Sequence, residues 1–178
     1  MGNSPTEEDI NNIDALEIPI GFRFSPTDLE LVNYYLLPKI LGEPLPASVI
    51  LDIDETELYS KPPNKLEMNF CERKECFFFT HGDGYSHDEL RSIRMVGNGK
   101  GFWKSDGEET FICNCYGDNK FAFKICWTYY NGTPKKGKKT KWVMSEYRLQ
   151  MEDDNLTDEK EWILGRIEYV CHYKNPFE

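Results

Sequence analysis

The chain has 178 residues, a formal net charge of -10 at pH 7, and 39% hydrophobic and 14% aromatic side chains. That length suits one domain, with Trp103, Trp127, Trp142 and Trp162 as large core anchors. The overall sign excludes a general polyanion binder, so any contact with nucleic acid must rest on local charge.

Residues 1–16 are polar and acidic and read as a flexible arm. Their opening, MGNSPT, fits the loose N-myristoylation pattern through Gly2 and Thr6, but has no apolar core of a secretory signal. One acyl chain holds a membrane only marginally, and no run nears the ~18 apolar residues of a spanning helix, so no membrane partner is expected. In IPIGFRFSPTDLELVNYYLLPKILGEPLP, Thr27 and Glu30 form a predicted capping box. Leu29, Val32, Leu36 and Ile40 then share one helical face, with a kink or early end expected at Pro38. Gly42, Pro44 and Pro46 stop the element, and ASVILDIDETEL suits a second, shorter helix.

From Cys76 onward the pattern turns to strands. ECFFFTH, KGFWKSD, EETFICNC, NKFAFKICWTYYNG, KWVMSEYRLQ and WILGRIEYVCHY are aromatic or β-branched runs divided by Gly, Asn and Asp turns. Helices first and strands afterwards imply an α+β domain, a largely antiparallel sheet with helices packed on it. Between two of these strands lies PKKGKKTKW, where Lys135, Lys136, Lys138, Lys139 and Lys141 are either a solvated turn or a phosphate-binding hairpin.

Six cysteines without a signal sequence read as reduced thiols. Cys71, Cys76, His81 and His87 could form a zinc set, but Phe77, Phe78 and Phe79 between them read as a buried strand. Buried cysteine in a sheet is the simpler reading. His81, His87 and His172 accompany no nucleophile motif, and GNGKG lacks the spacing of a phosphate-binding loop. Neither catalysis nor a cofactor is expected.

In this order the residues resemble the plant NAC transcription-factor family. IPIGFRFSPTDLELVNYYL is similar to its opening LPPGFRFhPTDEELvxhYL block, and ECFFF to its EWYFF strand. RSIRMVGNGKGFWKSDGEE resembles RxxRxxGxGYWKATGxD, NGTPKKGKKTKWVMSEYRL resembles GxAPxGxKTdWiMHEYRL, and YVCHY resembles the closing strand. The likeness runs from Ile18 to about Tyr173, which implies a NAC domain over residues 17–174 and a short remnant at 175–178. It further implies a twisted antiparallel sheet flanked by N-terminal helices, a nuclear location, and a dimer with an identical chain or another NAC protein. Ile18, Pro19, Ile20 and Phe22 stand where the family pairs a strand across the two-fold, and Arg23 and Glu30 where it forms an intersubunit ion pair. For double-stranded DNA, the family's pattern falls on Arg91, Arg94, Trp103, Lys104, Ser105 and Asp106, with Lys136 and Lys139 on the backbone and Lys124 and Lys141 as supporting charge; Lys100, in the loop before the strand, is a further DNA-binding candidate. Trp103 also reads as a core anchor.

The chain departs from that pattern in the reading strand. Ser105-Asp106 replaces Ala-Thr, Glu108 stands where Lys or Thr is common, and the loop before the strand is longer around Gly99 and Lys100. Asp106 could accept from cytosine N4, repel phosphate, or bond its own backbone before Gly107. The expectation is a DNA-binding regulator. The alternative is an interaction protein that binds DNA weakly and titrates full-length relatives into heterodimers.

Overall fold

The computed structural model of the chain describes residues 23–66, 75–82, 93–113, 120–150 and 161–170. The acidic arm, the myristoylation pattern, Ile18, Pro19, Ile20, Phe22, Cys71, His87, Arg91, His172 and the C-terminal remnant lie outside these residues.

The first element is one helical column in three parts: Asp28–Leu31 (α1), a wide π-turn Val32–Leu36, and Leu37–Leu41 (α2). Its start obeys the capping box: Thr27 Oγ1 accepts from the Glu30 N–H, and the Glu30 carboxylate accepts from the Thr27 N–H at 2.8 Å. Pro38 does not end the helix. Proline cannot donate to the preceding turn, and the wide π-turn just before it takes up the mismatch until Gly42 closes the helix in a left-handed conformation. Leu31, Val32, Tyr35 and Leu36 are buried, while Leu29 and Ile40 are partly buried against the same cluster. The second predicted helix is mostly not one. Leu51–Asp52 is a short strand (β1), and helix survives only as the single turn Glu55–Leu58 (α3), capped by Asp54.

The strands are β2 (Glu75–Gly82), β3 (Ile93–Val96), β4 (Gly101–Cys113), β5 (Lys120–Asn131), β6 (Lys138–Leu149) and β7 (Glu161–Tyr169). They form one seven-stranded sheet in the order β1-β2-β7-β6-β5-β4-β3. Every pairing is antiparallel except β1 with β2. KGFWKSD and EETFICNC, read as two strands, are one. A register shift between Ser105 and Glu109, with Gly107 at φ 79°, bends β4 without breaking it.

Both sheet faces are covered, by different things. The helical column lies over Phe77, Phe79, Ile112, Ala122, Tyr147 and Leu164. On the opposite face Leu58 and Leu66 close over Phe78, Trp103, Trp127, Met144 and Ile167. Cys76 belongs to this second core. His81, five positions along the strand, packs on Trp162, which adjoins the first, so the two point to opposite faces and cannot share a zinc ion.

Candidate nucleic-acid interface

On its own face the helical column leaves one end of the sheet uncovered, while behind that end the Gly97 N–H donates to the Tyr59 carbonyl just after α3 at 3.0 Å. There the β3–β4 turn, Gly97 to Lys100, lies beside the β5–β6 hairpin: the Gly132 N–H donates to the Lys100 carbonyl at 3.0 Å. Gly97, Asn98 and Gly99 all have positive φ (55°, 54° and 85°), a conformation that a β-branched chain could not hold. The hairpin is fixed from beneath. Phe102 and Tyr130 stack with centroids 5.1 Å apart, and Gly137 sits so close above that a Cβ would come within 2.5 Å of the Phe102 ring.

Lys100, Lys104, Lys135, Lys136, Lys138, Lys139 and Lys141 are exposed around this end. The local charge is therefore positive in a chain whose total is -10. Two rows cross the strands here. Ile93, Lys104, Thr128 and Val143 are successive cross-strand partners, as are Met95, Phe102, Tyr130 and Lys139. Residues directly opposite one another share a face, so Lys104 and Lys139 stand on the same side of the sheet.

Other expected contacts go elsewhere. Trp103 is 1% exposed and belongs to the core, leaving no edge for a base. Arg94 points to that same buried face. It reaches across β4 and β5 to pair with the Glu146 carboxylate, bonds the Tyr59 hydroxyl, and lies 4.1 Å over the Trp127 ring. Burial works to lower the Arg94 pKa, but the Glu146 charge outweighs it and the guanidinium stays firmly charged. A buried cation needs such a partner, and in this structure Glu146 and Tyr59 supply it. Lys124 is also diverted. Its ammonium meets Asp28 of α1 at 2.5 Å, while the Tyr147 hydroxyl donates to the other Asp28 oxygen at 2.7 Å. Sequence reasoning could not see the carboxylate that each of these basic residues meets.

Ser105 and Asp106 turn toward their own backbone. The Gly107 N–H donates to Ser105 Oγ at 3.0 Å and the Glu108 N–H to Asp106 Oδ1 at 3.2 Å. Asp106 is thereby an Asx-type turn residue at the bulge, although it remains exposed beside the lysines.

A second surface adjoins the helical column. Arg23, Phe24, Ser25, Pro26, Glu30, Tyr34, Tyr35 and Pro46 line an open cleft of about 390 Å³. Arg23 and Glu30 are both exposed, and Tyr34 is 58% exposed. Glu30 uses one oxygen for the capping box; the other has no hydrogen-bond partner among the described residues. The sequence reading did not single out Tyr34, which helical spacing turns away from the buried Leu31, Val32, Tyr35 and Leu36.

The family model described as No apical meristem (NAM) protein matches residues 19–149. The chain belongs to this family. It is 35% identical over 157 residues to NAC domain-containing protein 76 of Arabidopsis thaliana, covering 85% of this chain and 40% of that protein. To NAC domain-containing protein 41 of the same plant it is 38% identical over 162 residues, covering 89% and 56%. To NAC domain-containing protein 68 of Oryza sativa subsp. japonica it is 36% identical over 159 residues, covering 85% and 48%. This NAC domain thus spans about half the length of the curated relatives it matches.

Proposed function

We propose that this NAC domain is the DNA-binding and dimerisation part of a plant transcription regulator that acts in the nucleus, without catalytic activity. The supporting observation is that lysines from three separate stretches, Lys100, Lys104 and the 135–141 hairpin, are exposed around one sheet end that the helical column does not cover. Lysines so arranged suit the phosphates of a duplex, and the major groove is wide enough to admit two β-strands. Lys104 and the bulge at Ser105, Asp106 and Gly107 enter the groove, while Lys136 and Lys139 hold the backbone and Lys141 adds charge. Arg91 completes the set by family position. Dimers form through Ile18, Pro19, Ile20 and Phe22 and through Arg23 and Glu30, each Arg reaching Glu30 of the second subunit. The test is binding to a labelled duplex with a CGTG core beside a scrambled duplex. Preference for the core supports the reading, and equal or absent binding contradicts it.

One observation favours a second reading. Asp106 and Glu108 are exposed on the reading strand, so each brings negative charge to the groove. A chain that dimerises yet binds DNA poorly would titrate full-length NAC partners into inactive heterodimers. Mixing it with a full-length relative separates the two: loss of the relative's DNA binding favours titration.

A further inference from the structure

Two apolar side chains stand at the outer edge of the lysine-bearing face. Ile93 is 36% exposed and Met95 46% exposed, both on β3, the outermost strand. They are not the start of a core. Arg94 and Val96, which alternate with them, already occupy the buried face, and the helical column that covers this side of the sheet packs farther along it. Ile93 is the direct partner of Lys104, and Met95 lies in the row that ends at Lys139.

An apolar pair flanked on one side by lysines calls for a ligand with anionic and apolar groups side by side. Double-stranded DNA fits, and its chemistry narrows the contact. The C5-methyl of thymine is the apolar group by which a base pair is read in the major groove. Two residues apart on a strand is about 6.8 Å, roughly two base steps at 3.4 Å each. We propose that Ile93 and Met95 read thymine methyl groups beside the bases approached by Lys104, making this domain selective for thymine next to its core site. This rests on the DNA-binding reading above and adds a specificity that lysine contacts to phosphate do not supply.

Replacing thymine by deoxyuridine removes the methyl and leaves pairing and charge intact. The probe is a CGTG-core duplex with thymines in both flanks, substituted one at a time, with affinity measured by fluorescence anisotropy. Each contacted methyl should be worth about fourfold in affinity, equivalent to about 0.8 kcal/mol. A chain carrying Ile93→Ser and Met95→Ser should bind thymine and uracil duplexes alike, with its dependence on salt unchanged. Wild-type binding indifferent to every thymine-to-uracil change would overturn the proposal and leave the DNA-binding reading standing. Discrimination persisting in the double variant would also overturn it. Failure of the unsubstituted duplex to bind at all would remove both.

Discussion

Arg94 shows how a residue's role is set by what it meets. A guanidinium beside Glu146, which is 1% exposed, cannot be deleted alone without leaving that buried carboxylate only the longer ion pair to Arg148, at 3.6 Å. Arg94→Met should therefore cost about 3–5 kcal/mol in chemical denaturation. Adding Glu146→Gln should recover part of that loss, because the neutral amide can still bond Tyr59 without an uncompensated charge. If Arg94 holds the fold and not a phosphate, the double variant keeps the wild-type salt slope of DNA binding; a slope smaller by about one would return it to the interface. Asp106 makes the converse case, since its carboxylate caps a local turn. Asp106→Asn preserves that acceptor and removes the charge, so DNA affinity should rise roughly twofold to fivefold, in the range of a surface charge effect. Weaker binding would mean that the charge itself is recognised.

Among the elements, the helical column is the one most legible in advance. Thr27 and Glu30 form the capping box, and the apolar spacing from Leu29 to Ile40 faces the sheet. The long strands were legible because aromatic and β-branched runs are poor at much else. β3 was not, because four residues in an arginine-bearing stretch carry too short an alternation to register. Gly107 was misread as a turn between strands because the same positive φ serves a turn or a bulge. Ion pairs between distant elements were beyond reach, and the tie of α1 to the sheet is one of them. Burial acts to raise the Asp28 pKa, but the hydrogen bonds from Lys124 and Tyr147 and the Lys124 charge outweigh it, holding the carboxyl below its ordinary 3.8. A depressed carboxyl stabilises the fold above its unfolded pKa, and that stabilisation is lost as pH falls through the folded value. Asp28→Asn should thus melt about 2–4 °C lower than the parent at pH 7, the shift for about 1 kcal/mol at a half-exposed site. The gap should close as pH falls below 3.8 and through the lowered Asp28 pKa; a gap unchanged there would show that the tie does not depend on ionisation.

At the scale of the whole molecule, the lysine-bearing end and the Arg23–Glu30 cleft are separate surfaces joined by the sheet. The Lys124–Asp28–Tyr147 tie links the helical column at the cleft to β5 and β6, the strands that carry the lysine hairpin. If Arg23 meets Glu30 across a two-fold, Arg23→Glu should shift the chain from dimer toward monomer in light scattering. Adding Glu30→Arg to the same chain restores opposite charges and should recover dimer in part, even with the capping box lost. A dimer indifferent to Arg23→Glu would place the interface elsewhere.

The most direct measurement is the affinity of the full chain for a CGTG-core duplex at several salt concentrations, by fluorescence anisotropy. Lys100, Lys104, Lys136, Lys138, Lys139 and Lys141 are exposed at one sheet end, so log affinity should fall against log salt with a slope of roughly -5 per chain. A steep slope with preference for the core over a scrambled duplex is the expected result. No binding at low salt would contradict DNA recognition by this domain and leave dimerisation as its remaining activity.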